Sequence, residues 1–260
     1  MAKEFFNADK VRSQTGSDFE LIGTPFRRVD GRAKVTGQTQ FADDLSFPRM
    51  AYVKLVRSTV PHALIKNIDL SVAESMEGVL ATLVGSEMPV PFGILPVSED
   101  EHALAIDKVR FVGDPIAAIV AVNEDIAHAA ALSTKVDYEV LPTVSTFNDA
   151  LDSSGPYIHD YGDEGDIHKK VSLKFGDVEQ GFDKADFIFE DLCHYEGNTH
   201  LAMEQHAAIG VPEDDDRVTV YSSSQTPHYV HRALTKVLEF PASHIRVIAC
   251  SNEGSNYYHE

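Results

Sequence analysis

The sequence predicts an α+β chain in two parts, and three observations predict it. Residues 109–142 read strand, tight turn, strand, helix, strand. Residues 148–170 shift to Gly, Asp, Ser and His, the make-up of a connecting segment. Residues 217–249 then run strand, capped helix, strand. At 260 residues there is room for two cores of ordinary size.

Taken in order, residues 1–22 are polar and without period, and read as a mobile arm. Residues 29–37 carry Gly31 and Gly37 and read as an irregular loop, closed by Phe41-Ala42-Asp43-Asp44. Residues 52–58 and 65–69 are strands. Ser71-Val72-Ala73-Glu74 has capping-box spacing and opens a short helix that stops near Gly78. The apolar run 79–84 reads as a buried strand. Prolines 89, 91 and 96 exclude a central strand, so residues 89–96 form an exposed loop, and Glu99-Asp100-Glu101 behind it reads as solvated. In Gly113-Asp114-Pro115, Gly accepts positive φ and Pro fixes its own, so the chain turns there. Asn123 caps a helix whose first turn carries Glu124 and Asp125, at the end of the dipole that favours negative charge.

Beyond the connection, Asp177 caps a helix through Ala185, and residues 187–195 are extended. Strands 206–211 and 217–222 flank the acidic turn 212–216. Thr226 caps the next helix, with Pro227 at the first position, where its missing N–H costs nothing. Its apolar face is Val230, Ala233, Leu234, Val237 and Leu238, Pro241 ends it, and residues 245–249 form a last strand.

Charge and cysteine usage exclude whole classes. Twenty-two basic residues against 41 acidic ones leave a formal charge of −19, which repels phosphate backbones and anionic membranes. That excess reads first as solubility, and second as an acidic docking face. Cys193 and Cys250 are too few for a metal cage or a disulfide framework, which fits a reducing cytoplasm. The N-terminus lacks a secretory pattern, and no apolar run reaches the length of a membrane span.

Gln225 is the best candidate site residue. It lies just after the strand 217–222 and just before a helix N-terminus, where free N–H groups and the positive dipole end favour an anionic ligand. Its amide both donates and accepts; equally, it could simply finish a loop. A second cluster is His200, Glu204 and His206. If helical, His200 and Glu204 share a face, but a third or fourth metal ligand is not evident, and a buried His–Glu hydrogen bond between strands is the better reading. There is no nucleophile elbow, Walker loop, dinucleotide fingerprint or C-x-x-C array. No catalytic residue and no metal ligand is assigned.

The stretch Val109-Arg110-Phe111-Val112-Gly113-Asp114-Pro115 through Lys135-Val136-Asp137-Tyr138-Glu139-Val140-Leu141-Pro142 resembles the α/β-hammerhead domain of molybdenum hydroxylases, the xanthine dehydrogenase and aldehyde oxidase family. Thr219-Val220-Tyr221-Ser222-Ser223-Ser224-Gln225-Thr226-Pro227, with His244-Ile245-Arg246-Val247-Ile248, resembles the start of that family's molybdopterin-binding domain. The resemblance implies a flexible arm over residues 1–22, a hammerhead over 23–147, a linker over 148–170 and a partial molybdopterin-binding domain over 171–260. It implies a molybdenum–molybdopterin cytosine dinucleotide touched by Gln225, and companion subunits carrying FAD and iron–sulfur clusters. Residues 89–96, 107–110, 135–142 and 229–231 narrow it to the large subunits of 4-hydroxybenzoyl-CoA reductases, which remove a phenolic hydroxyl from an aromatic CoA thioester. Aldehyde, xanthine and carbon monoxide dehydrogenases of the family are alternatives, as is a non-catalytic docking module. Only Gly254 stands where the family has a glycine-rich loop, so the expectation is a truncated, frame-disrupted or split large subunit, inactive alone.

Overall fold

The computed structural model describes residues 27–93, 99–152, 154–159, 161, 164–199 and 203–251. The predicted arm lies outside them. Residues 31–35, expected as loop, close into a single helical turn, α1 (Gly31–Val35), in which the Gly31 and Lys34 N–H groups reach back to the carbonyls of Arg28 and Asp30. The first part is built on β1 (Tyr52–Arg57), β2 (Ala63–Asp69), α2 (Ser71–Glu74), β3 (Val79–Val84), β4 (Lys108–Val109), β5 (Pro115–Ala121), α3 (Glu124–Ser133) and β6 (Lys135–Val140). Two antiparallel three-stranded sheets result, ordered β1-β5-β3 and β4-β2-β6.

The run Pro115-Ile116-Ala117-Ala118-Ile119-Val120-Ala121 is apolar at every position because β5 is central and covered on both faces. Successive side chains alternate faces. Ala117 and Ile119 pack with Val56, Ala73 and Ala130 of β1, α2 and α3, while Ile116 packs with Ala63, Ala105 and Val109. One strand thus feeds two cores. Gly113 sits at φ +98° and donates its N–H to the Ser58 carbonyl at 2.8 Å, the tight turn expected there. Asn123 caps α3 through the Ile126 N–H at 2.9 Å.

Several expectations are corrected. The strand 79–84 is not buried. It forms an edge, and Leu80 faces solvent. Ser71 does not cap α2. Asp69 accepts both the Ser71 N–H and its hydroxyl, because the chain is already helical at Leu70. Nor is Glu99-Asp100-Glu101 merely solvated. Glu99 pairs with Lys236 at 2.5 Å, Asp100 accepts the Tyr161 hydroxyl at 3.1 Å and lies 3.3 Å from His159, and Glu101 bridges Phe92. Pro89 is exposed as expected, whereas residues 90–93 are half-buried, and 94–98 lie outside the described residues.

After β6, α4 (Phe147–Asp152) forms, and Tyr157 returns to the first part, where Lys108 Nζ donates to its carbonyl at 2.8 Å. Asp177 caps α5 (Val178–Asp183) as expected. Residues 187–195 form neither helix nor paired strand among the described residues, and Phe187, Phe189, Leu192 and Tyr195 are exposed. The last sheet holds β7 (Ala208–Glu213), β8 (Arg217–Ser222) and β9 (Ile245–Ala249), with β7 antiparallel and β9 parallel to β8. Helix α6 (Pro227–Val237) makes the crossover and packs on β9. It ends at Val237, before Pro241, and Glu239 beyond its C-cap Leu238 takes φ +54°.

Candidate functional site

The carboxyl end of β8 delivers the chain to the N-terminus of α6, and Gln225 stands between them, exposed. The three serines before it are buried, at 9%, 9% and 8% exposure for Ser222, Ser223 and Ser224. Their hydroxyls replace the ladder that ends with the strand. Ser222 Oγ accepts the Ser224 N–H at 3.2 Å, and Ser224 Oγ accepts the Thr226 N–H at 3.1 Å. Ser223 faces the other way, exchanging its N–H and Oγ with the carbonyl and N–H of Ala207. Sequence reasoning misses this hydroxyl walk. Its trace is the spacing of Ser222, Ser224 and Thr226, two residues apart.

Thr226 occupies the cap position of α6 but does not cap with its side chain. Its Oγ1 meets Ser224 Oγ at 3.2 Å instead, while its carbonyl accepts the Tyr229 and Val230 N–H groups. Pro227 takes the first helical position as expected. The helix still presents its positive end beside Gln225.

Two more segments reach this mouth. Cys250, just past β9, donates its N–H to the Ser222 carbonyl at 2.9 Å. Phe41 bridges Ser251, and the Phe47 ring lies 5.3 Å from that of Tyr221, so residues 41–47 of the first part lean on the second sheet. Burial pushes the Cys250 thiol up, the nearby Glu204 carboxylate adds to this, and a backbone hydrogen bond at Ser222 opposes it. It therefore stays a thiol at neutral pH, not a nucleophile or a ready metal ligand.

His200 lies outside the described residues. Met203 to His206 are not helical, so the helical face proposed for His200 and Glu204 does not form across them. Among the described residues, no group of three or more His, Cys, Asp or Glu side chains is placed to hold a metal ion. The Gln225 amide and the N–H groups at the start of α6 are donors of the kind that suit an anionic, oxygen-bearing group.

The fold is that of an α+β protein with a strand-rich first part and a second part built on a three-stranded sheet with a crossover helix. Residues 36–142 match the family described as "Aldehyde oxidase and xanthine dehydrogenase, a/b hammerhead domain", and residues 158–254 match "Molybdopterin cofactor-binding domain". The chain belongs to the xanthine dehydrogenase and aldehyde oxidase family of molybdopterin proteins. It is 36% identical to the nicotinate dehydrogenase large molybdopterin subunit of Eubacterium barkeri, over 92% of this chain and 56% of that one. To the xanthine dehydrogenase molybdenum-binding subunit of Escherichia coli O157:H7 it is 34% identical, over 85% and 30%. Carbon monoxide dehydrogenase from Oligotropha carboxidovorans superposes with a TM-score of 0.78 at 26% identity, covering 90% of this chain and 31% of that one. The chain thus spans about half of the first relative and about a third of the other two.

The donors at the mouth fit such a cofactor on one side. The Gln225 amide and the α6 N-terminus suit its oxygens and negative charge.

Proposed function

We propose that this chain forms one wall of the cofactor site, and a docking domain, in the large subunit of a molybdenum hydroxylase. Residues 23–147 are the docking domain, 148–170 the connection, and 171–260 belong to the cofactor domain. The cofactor is molybdenum on a molybdopterin cytosine dinucleotide. FAD and iron–sulfur clusters sit on companion subunits in the cytoplasm, where the free thiols of Cys193 and Cys250 persist. One observation carries the reading: Gln225 is the exposed residue on a buried hydroxyl floor, at the positive end of α6.

When bound, the cofactor supplies the two-electron chemistry. The protein's share is positional. Gln225 donates its amide to a cofactor oxygen, and the α6 N-terminus favours the negative charge there. Residues 41–47 close one side.

Within the family, residues 89–96, 107–110, 135–142 and 229–231 support a 4-hydroxybenzoyl-CoA reductase. That reaction releases the phenolic hydroxyl as water, with two electrons and two protons taken up. The identity to a nicotinate dehydrogenase subunit favours a second reading, hydroxylation of an N-heteroaromatic acid. The test is to purify the chain with its companions from the native host, measure molybdenum and pterin by mass spectrometry, and assay 4-hydroxybenzoyl-CoA, nicotinate and xanthine. Stoichiometric molybdopterin with turnover of the CoA thioester is expected. Turnover of nicotinate or xanthine alone moves the assignment within the family, and a metal-free complex overturns it.

A further inference from the structure

We propose that Ser222 and Ser224 are positioning residues for Gln225, acting as a hydroxyl relay that fixes its backbone; this rests on the reading of Gln225 given above. The relay runs Ser224 N–H to Ser222 Oγ, then Thr226 N–H to Ser224 Oγ. Each hydroxyl takes the N–H two residues on, so the residues on either side of Gln225 are held, and Gln225 itself is exposed. The relay is buried, so it is shielded from competing water, and removing one oxygen leaves a donor without its partner. Its far end is anchored, because Ser222 sits at the end of β8 and its carbonyl takes the Cys250 N–H from the parallel neighbour β9. The register of the sheet is thereby transmitted to the place where the amide is offered.

Ser223 supplies an internal control. It has the same size and nearly the same burial and lies between the other two, yet its hydroxyl serves Ala207, just before β7, and not Gln225. A role in packing alone predicts that all three serines behave alike. A role in orienting Gln225 separates Ser222 and Ser224 from Ser223.

The experiment uses the enzyme isolated with its companion subunits, in wild-type, Ser222→Ala, Ser223→Ala, Ser224→Ala, Ser224→Thr and Gln225→Ala forms. Amide hydrogen exchange at Thr226 and the molybdenum(V) electron paramagnetic resonance signal are measured. Thr226 exchange is expected to rise about five- to tenfold in Ser224→Ala, the size of one lost hydrogen bond, and to stay at the wild-type rate in Ser223→Ala and Ser224→Thr. The resonance signal of Ser224→Ala is expected to move toward that of Gln225→Ala, at unchanged pterin content. Equal changes in Ser223→Ala and Ser224→Ala overturn the relay, as does unaltered exchange in Ser224→Ala. A Gln225→Ala signal identical to wild type overturns the reading of Gln225 instead, and the exchange rates then still decide the relay.

Discussion

Asp114 accepts the backbone N–H of Arg110 on Oδ2 at 3.0 Å, across the turn that joins β4 to β5. The carboxyl is buried, and burial pushes its pKa above the ordinary 3.8, although the Arg110 N–H and the Arg110 and Arg57 guanidinium groups pull the other way. The folded state therefore holds this proton more tightly than the unfolded chain. Its contribution to stability is complete below pH 3.8 and is lost as pH rises through the raised folded value. Asp114→Asn keeps an acceptor for Arg110 and cannot ionise. Urea unfolding across this range should show a flatter pH dependence in Asp114→Asn, and an unchanged slope would exclude Asp114 as its source. Asp114→Ala strands the Arg110 N–H and should cost about 1–3 kcal/mol.

Gly85 is a packing requirement at an ordinary backbone conformation. A Cβ there would lie 2.6 Å from the Ala105 carbonyl oxygen and 2.7 Å from that of Leu104, both main-chain atoms with little room to yield. Gly85→Ala should destabilise by about 1–3 kcal/mol, the usual penalty of overpacking. A denaturation midpoint equal to wild type would contradict this.

The segment 171–199 carries apolar side chains that nothing among the described residues covers. Phe175 is 88% exposed, Phe189 91% and Leu192 94%. Large apolar side chains exposed in such numbers bind hydrophobic surfaces. The 260-residue chain should therefore bind a hydrophobic dye and aggregate with concentration. Phe187→Ser with Phe189→Ser should reduce dye binding severalfold without lowering the unfolding midpoint of residues 52–140. A parent chain that binds no dye would contradict this exposure.

Patterns carried by local chemistry are legible in the sequence. The Gly113 turn, the Asn123 and Asp177 caps and Pro227 at the first position of α6 all depend on neighbours a few residues away. Sequence and structure part where a distant partner decides. Val79 to Val84 is apolar enough for a central strand, but β5 is flanked by β1 on its other side and takes β3 as an edge. Glu99 and Asp100 have the pattern of solvated charge, yet Lys236 and Tyr161, 137 and 61 residues away, meet them. At the site, Gln225 is legible from strand–helix order. The serine relay is not, because hydroxyl direction depends on burial against β7 and β9.

The most direct measurement is the molybdenum(V) spectrum, with metal content, of the companion-bound Gln225→Ala protein. Gln225 is exposed, so the variant should fold within about 0.5 kcal/mol of wild type and keep its pterin. Its spectrum should shift and its turnover should fall at least tenfold. Wild-type spectrum and wild-type turnover in that variant would contradict the account.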